Sequence, residues 1–228
     1  HLTLAAAQGS TTVLAGHCFD RTETPPYSPW IEIARRIEAV PEFANTPPTF
    51  QPGNATSQSD FFEQAHAFLV ALTATKPAIL VLEDIHWADR ASLDLLRFVA
   101  RGVEHLPLLV VGTYRSEEID RRHPMAELVP RLVREAPTVR LNLRPLDVTA
   151  VQAFVQERLT LPDAGIRRLA DYLVERTEGN SLFLTELLRH LEEEELLDHF
   201  AEGGSAERLA GTPIPSLLRH IVDERLSR

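Results

Sequence analysis

Residues 78–89 read AILVLEDIHWAD. The first five are continuously apolar, which is typical of a strand buried on both faces of a parallel sheet. Glu83 and Asp84 follow at once, and carboxylates are costly to place beside a core unless they serve a purpose. Because side chains alternate along a strand, the two can face the same way only if the strand ends between them. One could then hold a divalent ion while the other positions water; the alternative is that they only begin a solvated loop.

Strands and helices alternate on both sides of this stretch. The pattern predicts strands at 11–15, 78–82, 108–112 and 139–143, and helices at 29–40, 59–73, 91–103 and 124–135. Ser59 is the predicted N-cap of its helix, and residues 2–9 are typical of a helix end stopped by Gly9. The alternation predicts an α/β domain with a parallel sheet.

The pattern changes after Pro145. Three helices are predicted at 148–159, 164–176 and 181–197, the first capped by Asp147, with no strand between them. We therefore predict an α/β core at 1–145 and a helical lid at 146–200. Residues 201–228 are then a linker and the start of a further helical region.

A second strand end carries a cation. The stretch VGTYR, residues 111–115, places Arg115 directly after the strand at 108–112. Ligands bind beyond the carboxyl ends of the strands in open parallel sheets, and a guanidinium suits phosphate contact. The alternative is that Arg115 only forms an ion pair with Glu83, Asp84 or Glu117.

Composition excludes several classes of function. The net charge of −10 argues against direct DNA binding, and no apolar run approaches the 18 residues that suggest a membrane span. Cys18 is the single cysteine, so no internal disulfide forms, which fits a reducing, cytoplasmic location. The N-terminus lacks the basic region of a signal peptide. Glu83, Asp84, His86 and Asp89 could suggest a metal hydrolase, but they lack the i, i+4 histidines of a zinc helix.

Four motifs in order resemble the STAND-class, AAA-related ATPase domain. They are ED-x-HWAD at 83–89, TYR at 113–115, RPL at 144–146 and RTEGNSLFLTELL at 176–188. The segment HCFDRTETPPYSPW at 17–30 is also similar to this class. The resemblance covers about residues 1–200 and implies a P-loop-NTPase-like three-layer αβα fold that uses ATP and Mg²⁺. Such domains occur in bacterial signalling proteins, including LuxR-type regulators and proteins with cyclase or kinase modules.

The resemblance also implies residue roles. Glu83 and Asp84 match the Walker B acidic pair, which supports Mg²⁺ and orients water, although many relatives have Asp before Glu. Asp89 would contribute indirectly, and Arg115 matches a sensor arginine that reads the γ-phosphate. Gly179–Asn180–Ser181 match a lid motif near the nucleotide, with Asn180 as a cofactor contact and Ser181 where proline is common.

The phosphate loop is missing from this chain. No G-x-x-x-x-G-K-[ST] string occurs, and Lys76, the only lysine, precedes the strand at 78–82. The resemblance places the loop before residues 2–9 and its strand between 108–112 and 139–143. We therefore expect an incomplete sheet with exposed ladders and little ATP hydrolysis by this chain alone.

Three functions follow as expectations. The first is an ATP-dependent regulatory switch within a larger signalling protein, with protein effector domains as partners and nucleotide-dependent oligomerisation. The second is a non-catalytic interaction module of the same fold, which the missing loop favours. The third is part of a DNA-binding regulator, because residues 213–228 are similar to the entry of a winged-helix region.

Overall fold

A computed structural model describes residues 11–20, 25–38, 43 and 55–201. The chain divides into two compact units, residues 1–140 and 141–228. The first contains a parallel sheet in the order β1-β2-β3, formed by Thr12–His17, Ala78–Glu83 and Leu108–Gly112. The predicted α/β fold with a parallel sheet is confirmed. The functional assignment of 1–145, 146–200 and 201–228 stays a prediction.

Within the described ranges, four helices accompany the sheet. They are α1 (Ser28–Glu38), α2 (Gln58–Thr73), α3 (Arg90–Gly102) and α4 (Pro124–Glu135), with 3₁₀ turns at Ile85–Trp87, Val103–His105 and Ser116–Glu118. The predicted N-cap of α2 was wrong by two residues. Ser57 caps it by accepting the backbone N–H of Asp60 at 3.1 Å, because its extended backbone turns the side chain onto the first helical turn.

The core of the first unit forms around the central strand. Leu80 and Leu82 on β2 are 0% and 1% exposed, as expected for a strand with a neighbour on each side. Trp30 of α1 is 1% exposed, and its indole N–H donates to the backbone oxygen of Ser92 at 3.1 Å. This bond satisfies the indole and fixes α1 against the start of α3.

The strand predicted at 139–143 does not form. Residues 138–147 have no regular secondary structure, and Val139, Leu141 and Leu143 are 81%, 80% and 92% exposed. Their alternation suits a half-buried strand, but no strand in the described ranges pairs with them, and a strand needs a partner for its backbone groups. The predicted helix end at 2–9, most of the loop at 41–58 and the final helix from 216 lie outside the described residues.

The second unit is helical over the part that the structure describes. Its helices are α5 (Val148–Arg158), α6 (Asp163–Thr177), α7 (Ser181–Glu193) and α8 (Asp198–Ala201). Asp147 caps α5 as predicted, accepting the backbone N–H of Ala150 at 2.8 Å. Helix α7 ends before the predicted residue 197 because Glu195 has a left-handed backbone with φ of 56°. Among the described helices, none has the length and apolar character needed to cross a membrane.

Candidate active site

The carboxyl ends of the three strands meet at one edge of the sheet. His17 at the end of β1 is in register with Glu83 at the end of β2, and Leu82 is in register with Gly112. Hydrogen bonds continue past the strands: Thr113 N–H donates to the oxygen of Leu82 at 3.0 Å, and Ile85 N–H donates to the oxygen of Thr113 at 2.9 Å. The loops after β2 and β3 therefore leave the sheet side by side.

The two predicted carboxylates separate at the end of β2. Glu83 is the last strand residue, and Asp84 adopts a left-handed backbone with φ of 54°. Non-glycine residues seldom adopt this conformation, although aspartate does so more readily than most. The Asp84 N–H donates to the Thr113 hydroxyl at 3.1 Å. The strand thus ends between the carboxylates, which leaves both side chains partly exposed, at 46% for Glu83 and 42% for Asp84.

His17 connects Glu83 to helix α1. Its Nε2 lies 3.5 Å from Glu83 Oε2, and its Nδ1 lies 3.0 Å from Glu32 Oε1. Glu32 also accepts the His17 backbone N–H at 2.8 Å and pairs with Arg36 at 2.7 Å. Partial burial by itself would raise the pKa of Glu32, but these hydrogen bonds favour the charged form and lower the pKa overall. Glu83 is therefore held beside an imidazole whose other nitrogen faces an ionised carboxylate.

Arg115 lies on the loop that follows β3 and keeps its side chain near the loop after β2. Its Nη1 is 3.1 Å from Glu118 Oε1, and its guanidinium carbon is 5.7 Å from the ring centre of Trp87. The arginine thus pairs with Glu118, which is not one of the three partners considered from the sequence. It remains 57% exposed, so a ligand phosphate could reach it.

His86 lies buried between the same two loops. Its side chain is 1% exposed, with Nδ1 4.0 Å from Asp84 Oδ1 and Nε2 3.4 Å from Glu118 Oε2. Its ring packs on Trp87 with 4.6 Å between centroids. No group of three or more metal-ligating side chains occurs in the described residues.

Asp89 has a structural role. It caps α3 by accepting the backbone N–H of Ser92 at 2.9 Å, and it also accepts the Ser92 hydroxyl. Its Oδ2 takes the backbone N–H of Tyr27 at 3.2 Å, where Tyr27 adopts a left-handed φ of 64°. Asp89 therefore joins the start of α3 to the residue that precedes α1, while any effect on chemistry remains a prediction.

Burial raises the pKa of the Cys18 thiol. Burial, with smaller contributions from the charges of Asp89, Asp84 and Glu32, raises the pKa of the thiol to about 12. The thiolate is the reactive form of cysteine. A nucleophilic role at neutral pH is therefore disfavoured.

Asn180 lies in the second unit and caps α7. Its side-chain oxygen accepts the backbone N–H groups of Leu182 at 3.0 Å and Phe183 at 3.4 Å. Gly179 has a φ of 73°, and its oxygen accepts the N–H of Leu146 at 2.8 Å. A backbone hydrogen bond thus joins the RPL and GNS motifs, which are far apart in sequence. Nucleotide contact by Asn180 stays a prediction.

Comparison with known sequences identifies the first half of the chain. Residues 1–111 match the profile of the AAA ATPase domain. This stretch is part of an AAA-type ATPase domain. It includes Glu83, Asp84 and Asp89, and it ends before Arg115.

Two relatives of this chain are much longer proteins. An uncharacterised protein of Rhizobium meliloti (strain 1021) is 34% identical over 137 residues, which cover 55% of this chain and 12% of that protein. The peroxide stress-activated histidine kinase mak3 of Schizosaccharomyces pombe is 24% identical over 140 residues, which cover 61% of this chain and 6% of that protein. The chain thus spans a small fraction of the curated relatives it matches.

The side chains at the strand ends of the AAA segment are compatible with Mg²⁺ and a nucleotide. Magnesium takes oxygen ligands and keeps several waters, so one or two partly exposed carboxylates with substrate phosphates suffice. Glu83 and Asp84 supply such oxygens at the end of β2, and Arg115 supplies a cation on the adjacent loop.

His17, Glu32 and Glu118 are neighbours of the site that sequence reasoning missed. The only available signal was that His17 ends an apolar strand just as Glu83 does. Glu118 lies one position beyond the considered Glu117, and the 3₁₀ turn at Ser116–Glu118 brings Glu118 rather than Glu117 to Arg115.

Proposed function

We propose that this chain serves as an ATP-responsive regulatory switch within a larger signalling protein. The observation that carries the proposal is the placement of Glu83 and Asp84 at the end of β2, beside the loop that bears Arg115, in an AAA-type segment. The histidine kinase named among the relatives supports a signalling context. Protein effector domains, nucleotide-dependent oligomerisation and a cytoplasmic location belong to the same proposal.

Each side chain at the site has a separate role in this proposal. Bound Mg²⁺ would supply charge stabilisation to the phosphates of ATP. Glu83, steadied by His17, offers an oxygen to the ion. Asp84 lies one residue further, where its backbone N–H donates to the Thr113 hydroxyl, and its carboxylate would orient a water molecule. Arg115 would exchange Glu118 for a phosphate oxygen when nucleotide is present.

A movement of the helical unit completes the proposed switch. Asn180 caps α7, where the motif resemblance places a nucleotide contact. Binding energy at such a contact can shift a two-state element if ATP and ADP differ in their contacts. The attached effector would respond to that shift.

The missing phosphate loop supports a second candidate, a non-catalytic interaction module of the same fold. No G-x-x-x-x-G-K-[ST] string is present in the 228 residues, so the amides and lysine that normally hold the phosphates are lacking here. The net charge of −10 makes the DNA-binding alternative weaker.

Magnesium-dependent ATP binding and phosphate release should be measured on this chain and on the protein encoded by its whole reading frame. We expect the chain alone to release phosphate from ATP no faster than a sample without protein. In the longer protein we expect turnover that falls at least tenfold in Asp84→Asn, because the group that positions water is lost. Asp94→Asn, an exposed aspartate on α3, is the matched control. Equal turnover in the longer wild-type protein and in its Asp84→Asn and Asp94→Asn variants would favour the interaction module. The same conclusion would follow if none of them binds nucleotide.

A further inference from the structure

The His86 ring is buried without satisfying its nitrogen atoms. Its side chain is 1% exposed, and within the described ranges neither Nδ1 nor Nε2 has a hydrogen-bond partner. A buried polar group without a partner destabilises a fold, because it has lost its hydrogen bonds to water and gained none in return. Such an exception in a native fold calls for an explanation, and function is one of the recognised kinds.

Two carboxylates flank the ring just beyond hydrogen-bond geometry. Glu118 Oε2 is 3.4 Å from Nε2, and Asp84 Oδ1 is 4.0 Å from Nδ1. The other oxygen of Glu118 takes Arg115 at 3.1 Å. Trp87 lies against both groups, since its ring is 4.6 Å from the His86 ring and 5.7 Å from the guanidinium of Arg115. Asp84, His86, Glu118 and Arg115 thus form a continuous series across the two loops.

We propose that His86 is a positioning residue that holds Glu118, and through Glu118 sets the position of Arg115. Its Nε2 is the ring nitrogen nearer to a carboxylate, at 3.4 Å from Glu118 Oε2, and Glu118 in turn pairs with Arg115 beside Trp87. The proposal deepens the proposed function, because Arg115 and Asp84 are the groups it assigns to phosphate and water.

The backbone of His86 is fixed independently of its ring. His123 Nε2 lies 2.9 Å from the His86 oxygen and donates to it, while His123 Nδ1 accepts the backbone N–H of Met125 at 3.2 Å. This pair of bonds defines the Nε2–H tautomer of His123 and ties His86 to the N-terminus of α4. Replacement of the His86 ring should therefore leave its backbone in place.

Side-chain NMR of the chain without nucleotide tests the proposal. Long-range ¹H–¹⁵N spectra report which ring nitrogens of His86 carry a proton, and the guanidinium resonances of Arg115 report its exchange with solvent. We expect a proton on Nε2, the nitrogen next to Glu118, in the wild type. Glu118→Gln should change the His86 nitrogen shifts and accelerate Arg115 exchange several-fold, whereas Glu117→Gln, on the same turn, should change neither.

His86 variants separate positioning from packing. His86→Phe fills the space without a donor and should accelerate Arg115 exchange as Glu118→Gln does, while His86→Gln carries an N–H group and should restore the wild-type rate. Wild-type Arg115 exchange in a folded His86→Phe protein would overturn the proposal. If His86→Phe does not fold, unchanged nitrogen shifts of the His86 ring in Glu118→Gln would overturn the proposal instead. None of these measurements needs ATP, so a failure of ATP binding leaves this test intact.

Discussion

Glu32 shows how a single carboxylate can stabilise the first unit in a pH-dependent way. It accepts hydrogen bonds from the backbone and ring of His17 and from Arg36, and they lower its pKa below the ordinary 4.5 despite partial burial. A carboxyl group with a lowered folded-state pKa stabilises the fold above its unfolded-state pKa. That stabilisation is lost as the pH falls through the folded-state pKa.

Glu32→Gln should therefore destabilise the chain by an amount that depends on pH. We expect a loss of about 1 kcal/mol in the free energy of unfolding at pH 7, since the hydrogen bonds to a charged acceptor weaken. The loss should shrink below pH 4.5, where the unfolded-state carboxyl is protonated and the folded-state carboxyl begins to be. Urea unfolding of both proteins from pH 3 to pH 7 measures it. Glu63→Gln, which replaces an exposed glutamate on α2, should show no such trend. If Glu32→Gln lowers the free energy of unfolding equally at pH 3 and pH 7, the pH-dependent role of Glu32 is contradicted.

At the scale of elements, Gly16 permits β1 and α1 to approach closely. A Cβ atom on Gly16 would lie 2.2 Å from the backbone oxygen of Pro29 and 2.8 Å from its carbonyl carbon. These are backbone atoms at the start of α1, so they cannot move aside as a side chain would. Gly16→Ala should cost about 1–3 kcal/mol of unfolding free energy or more.

Gly102→Ala is the matched control for this prediction. The nearest atom to a Cβ on Gly102 is His66 Cε1 at 3.9 Å, an ordinary contact, and its φ of −102° suits any residue. We expect this change to lie within about 1 kcal/mol of neutral. Thermal unfolding of the two variants measures the stability that each one loses. Equal losses of stability would show that the contact between β1 and α1 is not tight.

Local patterns predicted the elements whose environment the sequence itself defines. Strands β2 and β3 were found because short apolar runs are typical of strands in parallel sheets, although only β2 is buried and Leu109 of β3 is 53% exposed. Helices α3 and α4 were found because their apolar residues repeat at helical spacing. The segment 139–143 has the alternation of a strand, but strand formation depends on a neighbour that the local pattern does not contain. At the site, Glu83 and Arg115 could be placed at strand ends from the sequence. The pairing of Arg115 with Glu118 could not, because it depends on the geometry of the 3₁₀ turn at Ser116–Glu118.

At the scale of the whole molecule, the described residues form two separate hydrophobic cores. One contains Leu80 and Leu95, and the other contains Leu173 and Leu188, each 0% exposed. Buried residues of the two cores do not overlap. Separate cores of this kind open as separate cooperative units when each is stable by itself.

Leu173→Ala and Leu95→Ala should therefore destabilise different parts of the chain. Each change removes buried methyl groups and leaves a cavity, at a cost of about 2–5 kcal/mol. Hydrogen exchange followed by mass spectrometry should show faster exchange mainly in α5, α6 and α7 for Leu173→Ala, and mainly in β2, β3 and α3 for Leu95→Ala. The two variants are controls for each other, because they remove the same atoms from different cores. If each accelerates exchange equally in both regions, the chain unfolds as one unit, and a signal could then pass between the site and the helical unit through stability alone.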